Sequence, residues 1–224
     1  MIRIISLIVA LSLVAVGIWL VYEPELMKAA TSDTVVLTQQ VSTGLAITDC
    51  ANVAFNPSPR SGFGDGTVAS ASCTWNVKTA NAAGFSMSLK ASSDPALCTI
   101  ATNDTCGSNP SFADYTETQN GTPDYTWSVT TGAEFGYTVE PASPEDTVQK
   151  FKDNGSACGV GTNNGTDTCW IDFSTTDFNV VNRSQKTGTS GENIIVKFWN
   201  EIETDTVQTA GTYTAGITAT VVDN

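Results

Sequence analysis

Cys73, Trp75 and Val77 alternate with Thr74, Asn76 and Lys78; after a short break, Phe85, Met87 and Leu89 alternate with Ser86, Ser88 and Lys90. A period of two sets one face of each segment into a core and the other into water. The break, Ala80-Asn81-Ala82-Ala83-Gly84, is short enough to fold back. The pair therefore predicts the central hairpin of an antiparallel β-sandwich.

The same pattern predicts further strands around it. Val35 to Val41 reads as a first strand, with Leu45, Ile47 and Asp49 opening a second. Asn56 to Gly66 is rich in Pro and Gly and breaks the pattern. Tyr125 to Val129 and Phe135 to Val139 alternate again, and Cys169 to Phe173 and Ile194 to Asn200 follow. In the last segment Tyr213, Ala215, Ile217, Ala219 and Val221 share one face and Thr212, Thr214, Thr218 and Thr220 the other. Ser143-Pro144-Glu145-Asp146 reads as a capped helix start with Gly155 as its stop, so one short surface helix is expected. About eight to ten short strands fit an immunoglobulin-like or jelly-roll sandwich.

Ile4 to Tyr22 carries no charge and follows a single Arg3, which predicts an N-terminal hydrophobic helix. The run is long enough to span a bilayer and longer than most cleaved signals. Residues 1–30 are thus expected to be a signal peptide or an N-terminal membrane anchor, with membrane contact only through residues 4–22 if uncleaved. Residues 31–224 are expected to be one exported domain, extracellular or at the cell surface.

Composition narrows the function classes. Hydrophobic residues make 41% of the chain, enough for a core, and charged ones only 15%. Net charge is −13, and the four charges of the first 30 residues cancel, so all of it lies on the exported part. Such a surface repels phosphate backbones and argues against nucleic-acid binding. There is no His. That removes Ser-His-Asp and Cys-His catalysis and His-based metal sites on a jelly roll. No cofactor and no metal site is expected. Asp153-Asn154, Asn163 to Asp167 and Asp104 gather oxygen ligands, but they read better as turns than as a calcium loop.

Six Cys in an exported chain predict disulfides. Spacing favours local pairs: Cys98 with Cys106, Cys158 with Cys169, and Cys50 with Cys73 by elimination. Six Cys allow 15 connectivities, so the pairing stays open. The candidate ligand-binding residues are Trp170, Trp199 and Tyr115, as an exposed sugar-stacking group, whereas Trp75 and Trp127 read as core. Glu134, Glu140, Glu192, Glu201 and Glu203 are the acids from which a glycosidase pair could be drawn.

Trp75-Asn-Val-Lys-Thr, Gly84 to Ala96, Phe112-Ala-Asp-Tyr-Thr, Thr122 to Val129, Glu134 to Glu140, Val148 to Gly155 and Ala210 to Val221 together resemble a group of uncharacterised secreted proteins of small-genome bacteria of the candidate phyla radiation. The final Ala-Gly-Thr-Tyr-Thr strand is also similar to the ends of fimbrial and spore-coat-like subunits. The resemblance implies a cell-envelope β-sandwich and assigns no residue a role. The expectation is a non-enzymatic structural or adhesive surface protein, pilin-like or coat-like, whose partners are copies of itself or surface glycans. A carbohydrate-binding module using exposed aromatics is the alternative, and a jelly-roll glycosidase with paired carboxylates the third reading.

Overall fold

The alternating segments become the long strands of two facing sheets. A computed structural model describes residues 38–224, save 43, 49, 59, 60, 100–104, 131, 142, 144 and 145. The N-terminal hydrophobic helix, and most of the strand expected at Val35 to Val41, lie outside the described residues. Residues 38–41 are not in a strand.

The chain runs through β1 (Leu45–Thr48), β2 (Val68–Thr79), β3 (Phe85–Ala91), β4 (Leu97–Cys98) and β5 (Ser111–Asp114), then β6 (Ala133–Pro141), β7 (Phe178–Arg183), β8 (Glu192–Ile202) and β9 (Ile217–Asp223). One sheet has the order β1-β2-β8-β6-β5-β4 and the other β7-β3-β9. Pairing is antiparallel except between β5 and β6, where Ala113 lies opposite Glu134 in parallel register. The fold is all-β and sandwich-like, as the periodicity predicts.

The central hairpin is a correction. β2 pairs with β1 and β8, whereas β3 pairs with β7 and β9, so the two halves belong to opposite sheets. Both bury their odd-numbered residues in one shared core (Trp75, Val77, Phe85, Met87 and Leu89 are all buried). Alternation fixes which face is buried but not which sheet a strand joins. The break between them crosses the core as a tight arch. Asn81 Oδ1 accepts from the Ala83 N–H at 3.0 Å. Gly84 has φ +80, and a Cβ there would lie 2.1 Å from the Arg183 carbonyl oxygen, so only glycine fits.

Two other expectations change. Tyr125 to Val129 is not a strand. Its neighbour Asp124 exchanges backbone bonds with Trp170, and the alternating aromatics belong to a loop that turns Trp127 inward. The expected helix shortens to a 3-10 turn at Gln149–Phe151. Val148 is extended and its N–H donates to the Val180 carbonyl, so the segment lies against β7 and cannot coil.

Disulfides join Cys158 to Cys169, a pair that spacing favours, and Cys50 to Cys73, the pair reached by elimination. The third pair is a correction: Cys98 and Cys106 are free and buried. Backbone pairing already closes this region, because Cys98 is held by Ser111 on one side and Thr214 on the other. Burial, with Cys98 alongside, pushes the Cys106 thiol up to about 11.

At one side of the sandwich, three charged side chains are buried together. Arg183 of β7 reaches Asp146 and, at 3.3 Å, Glu192 Oε2 at the start of β8. Glu192 Oε1 accepts from the Ser143 N–H at 2.7 Å.

Candidate functional site

The three aromatics singled out from the sequence meet in one cluster through Trp127, with Tyr115 and Trp170 buried and Trp199 half-buried. β6 is buried on both faces. Phe135, Tyr137 and Val139 face the inter-sheet core, and Gly136 faces outward. A Cβ on Gly136 would meet Tyr115 Cβ and the Ile171 carbonyl oxygen at 2.8 Å and Trp127 at 3.1 Å. That missing side chain lets Tyr115, Trp127 and Trp170 settle on the outside of the sheet as a second apolar cluster. Tyr115 stacks on Trp127 at 4.5 Å and Trp170 stacks on Trp199 at 4.0 Å.

Exposure of Trp170 and Tyr115 is therefore a correction: they are 0% and 2% exposed. Their polar ends are used internally. Tyr115 OH donates to Asp124 Oδ2 at 3.1 Å, and Trp170 Nε1 donates to the Asp167 carbonyl at 3.2 Å. Trp199 is half-buried and lines an open groove of about 690 Å³ with Val53, Ser70, Ser72, Asp167 and Lys197. Burial opposes the charge on Lys197, but its bonds to Asp167 at 2.8 Å and Glu140 at 3.0 Å outweigh this and raise its pKa.

The acids are also engaged. Glu201 Oε2 accepts from Trp127 Nε1 at 2.8 Å and Glu203 Oε2 from the Gly132 N–H at 3.2 Å. Glu134 accepts from the Thr116 N–H, and burial raises its pKa. Asp153, in the loop weighed for calcium, accepts from the Gly155 and Gly165 N–H groups at 2.9 and 2.8 Å, which is turn formation.

Sequence reading missed a different carboxylate group. Asp114 lies near Asp94, and Asp172 near Glu117, whose Oε1 accepts from the Asp172 N–H at 2.7 Å; the acids of the two groups feel one another. Burial, then the neighbouring acids, push Asp172 up to about 7; burial does the same for Asp114, with Asp94 adding to it and the Ala96 N–H opposing it. A glycosidase acid pair flanks a sugar at about 5–9.5 Å separation. None of these four acids lines the Trp199 groove.

Their effect is on stability. From an ordinary 3.8 to about 7, the folded state holds protons that the unfolded chain releases. Stability is thus greater at mildly acidic pH and is lost as pH rises through 7. We expect the melting temperature to fall by several degrees between pH 5.5 and 8, at about 2–4 °C per kcal/mol for a chain of this size. The double variant Asp114→Asn/Asp172→Asn should flatten that profile in differential scanning calorimetry. An unchanged slope would mean other groups set it.

Among the described residues two sheet margins carry no further strand: β1, which pairs only with β2, and β9. β7 is covered by Thr147 and Val148, and β4 by Thr214. Among the described residues β9 pairs only with β3. Its sequence, Ile-Thr-Ala-Thr-Val-Val-Asp, has no Lys and no Pro, the residues that commonly block edge pairing. Val222 on it is 53% exposed. Among the described residues no helix is long and apolar enough to cross a membrane. No protein-family model, curated protein or solved structure matches the chain.

Proposed function

We propose that the protein is a non-enzymatic structural subunit of the cell surface or secreted matrix, a pilin-like or coat-like domain that adds to copies of itself. The observation that carries this reading is the open edge of β9. Among the described residues no second strand pairs with β9, and an edge of high β-propensity is a template for another strand. β9 also has one charge in seven residues, Asp223, on a chain of net charge −13. Copies that repel elsewhere can approach there. Two disulfides fit the oxidising setting of an exported protein.

Glycan binding is the second reading, and it rests on Trp199 in its open groove. Burial of Tyr115 and Trp170 removes the broader stacking platform that reading would use.

Sedimentation and electron microscopy of the full chain test the first reading. Assemblies are expected to form with rising concentration. Thr218→Asp/Thr220→Asp sets like charges along the edge and should raise the concentration needed by about tenfold, the effect of about 1.4 kcal/mol. Assembly unaffected by that variant would place growth elsewhere and overturn the reading.

A further inference from the structure

β1 and β9 end their sheets on the same side of the sandwich. Thr79, opposite Leu45 on β2, donates its hydroxyl to Asp223 Oδ1 of β9 at 2.6 Å. The neighbouring Ala80 N–H donates to the Gly44 carbonyl at 3.1 Å. The start of β1 and the end of β9 therefore lie next to each other. The core is thinly covered there. Ile217, Ala219 and Val221 pack against it yet stay only half-buried, and Leu45 of β1 is 37% exposed. One strand further in, Phe85, Met87 and Leu89 of β3 are at most 1% exposed. A strand laid along the outer edge of β9 would complete that cover.

The chain carries a segment suited to the place. Residues 34–41, Thr-Val-Val-Leu-Thr-Gln-Gln-Val, are β-prone, set Val35, Leu37 and Val41 on one parity, and match the seven residues of β9 in length. Among the described residues, 38–41 are in no strand and no second strand pairs with β9; Val41 is 81% exposed. Charge favours the match. The chain carries −13, yet residues 34–48 and 206–222 hold no charged side chain. A second copy can lay the first stretch beside the second without bringing acids together.

We propose that residues 34–41 of one copy form the strand that adds to β9 of the next. This rests on the assembly reading above and names the partner of that edge. Val35, Leu37 and Val41 turn into the margin between β1 and β9, over Ile217, Ala219 and Val221. Thr38 then faces outward on the same sheet surface as Thr218 and Thr220.

The test uses the full chain at concentrations where assemblies form. Chains carrying Thr38→Cys are mixed with chains carrying Thr220→Cys and treated with a short bismaleimide; the two native free thiols are buried. A cross-linked pair of one chain of each kind is expected. Val160→Cys, at a position 66% exposed elsewhere on the surface, should give none in place of Thr220→Cys. Val35→Asp/Leu37→Asp should raise the concentration needed for assembly by about tenfold or more, because it sets charge against the core margin. A cross-link that forms only within a single Thr38→Cys/Thr220→Cys chain would mean that each copy covers its own edge, and would overturn the proposal. Assembly that survives Val35→Asp/Leu37→Asp but not Thr218→Asp/Thr220→Asp would also overturn it, while leaving growth at β9 in place. Assembly indifferent to both variants would overturn the two readings together.

Discussion

Replacing Arg183 by Met is expected to cost about 3–5 kcal/mol of folding stability, among the largest effects open to one substitution here. Arg183 is 8% exposed, and Asp146 and Glu192, which it faces, are 4% and 8% exposed. Its Nη1 serves both carboxylates, and its Nε donates to the Gln185 carbonyl at 3.0 Å. One guanidinium thus ties β7, the start of β8 and the Ser143–Asp146 segment together. Methionine keeps an apolar stem but is shorter and uncharged, so both buried acids lose the guanidinium. The cost comes from removing the cation from two buried carboxylates rather than from any large net gain of the intact ion group.

Arg183→Lys separates the two contributions. It keeps the charge but not the fork that reaches both acids and the Gln185 carbonyl, so it should recover only part of the loss. Urea unfolding at neutral pH measures both variants. A Met variant within about 1 kcal/mol of wild type would mean that Asp146 and Glu192 reach solvent once the arginine is gone.

Much of this architecture was readable from alternation alone, because a residue's face in a strand depends only on its parity. The burial of β3 follows that rule residue by residue, and β9 keeps Ile217, Ala219 and Val221 inward and Thr218 and Thr220 outward. Separation was only a partial guide to the disulfides: Cys158–Cys169 forms, whereas the more closely spaced Cys98 and Cys106 stay free. What alternation could not carry was the partner of each strand. The arch at Ala80 to Gly84 and a true hairpin share one hydrophobic pattern, and only the opposing Arg183 carbonyl, a hundred residues on, distinguishes them.

The site residues failed for a related reason. Trp170 beside the loop Cys169 and Trp199 opposite the Val196/Phe198 face read as exposed, yet loops from two parts of the chain cover the outside of β6 and bury Trp170 together with Tyr115. Gly136 was the available signal: a glycine amid Phe135, Tyr137 and Val139 marks a close approach on the other face. The Asp94–Asp114 and Glu117–Asp172 pairs had no such signal, since residues this scattered meet only through tertiary packing.

That outer cluster makes Trp127→Ala the other severe substitution, with an expected loss of about 3–5 kcal/mol. Trp127 touches all three of its aromatic neighbours: Tyr115 stacked at 4.5 Å, and Trp170 and Trp199 edge-on at 5.3 and 5.9 Å. Its indole N–H is also the donor that Glu201 Oε2 accepts at 2.8 Å. Alanine therefore leaves a cavity against Gly136 and removes a hydrogen bond from a carboxylate of β8. Trp127→Phe keeps most of the ring contact and loses the bond, so it should fall between the two, and their difference apportions packing against hydrogen bonding. The measurement is equilibrium unfolding, with glycan binding and assembly followed in parallel. If the cluster is scaffold, both variants lose stability while assembly through β9 persists at temperatures where they remain folded. If Trp199 is instead a sugar platform, loosening its underside at Trp127 should weaken glycan binding well before the domain unfolds. Stability within about 1 kcal/mol of wild type in the alanine variant would contradict the scaffold account, because the cover over β6 would then contribute little to the fold.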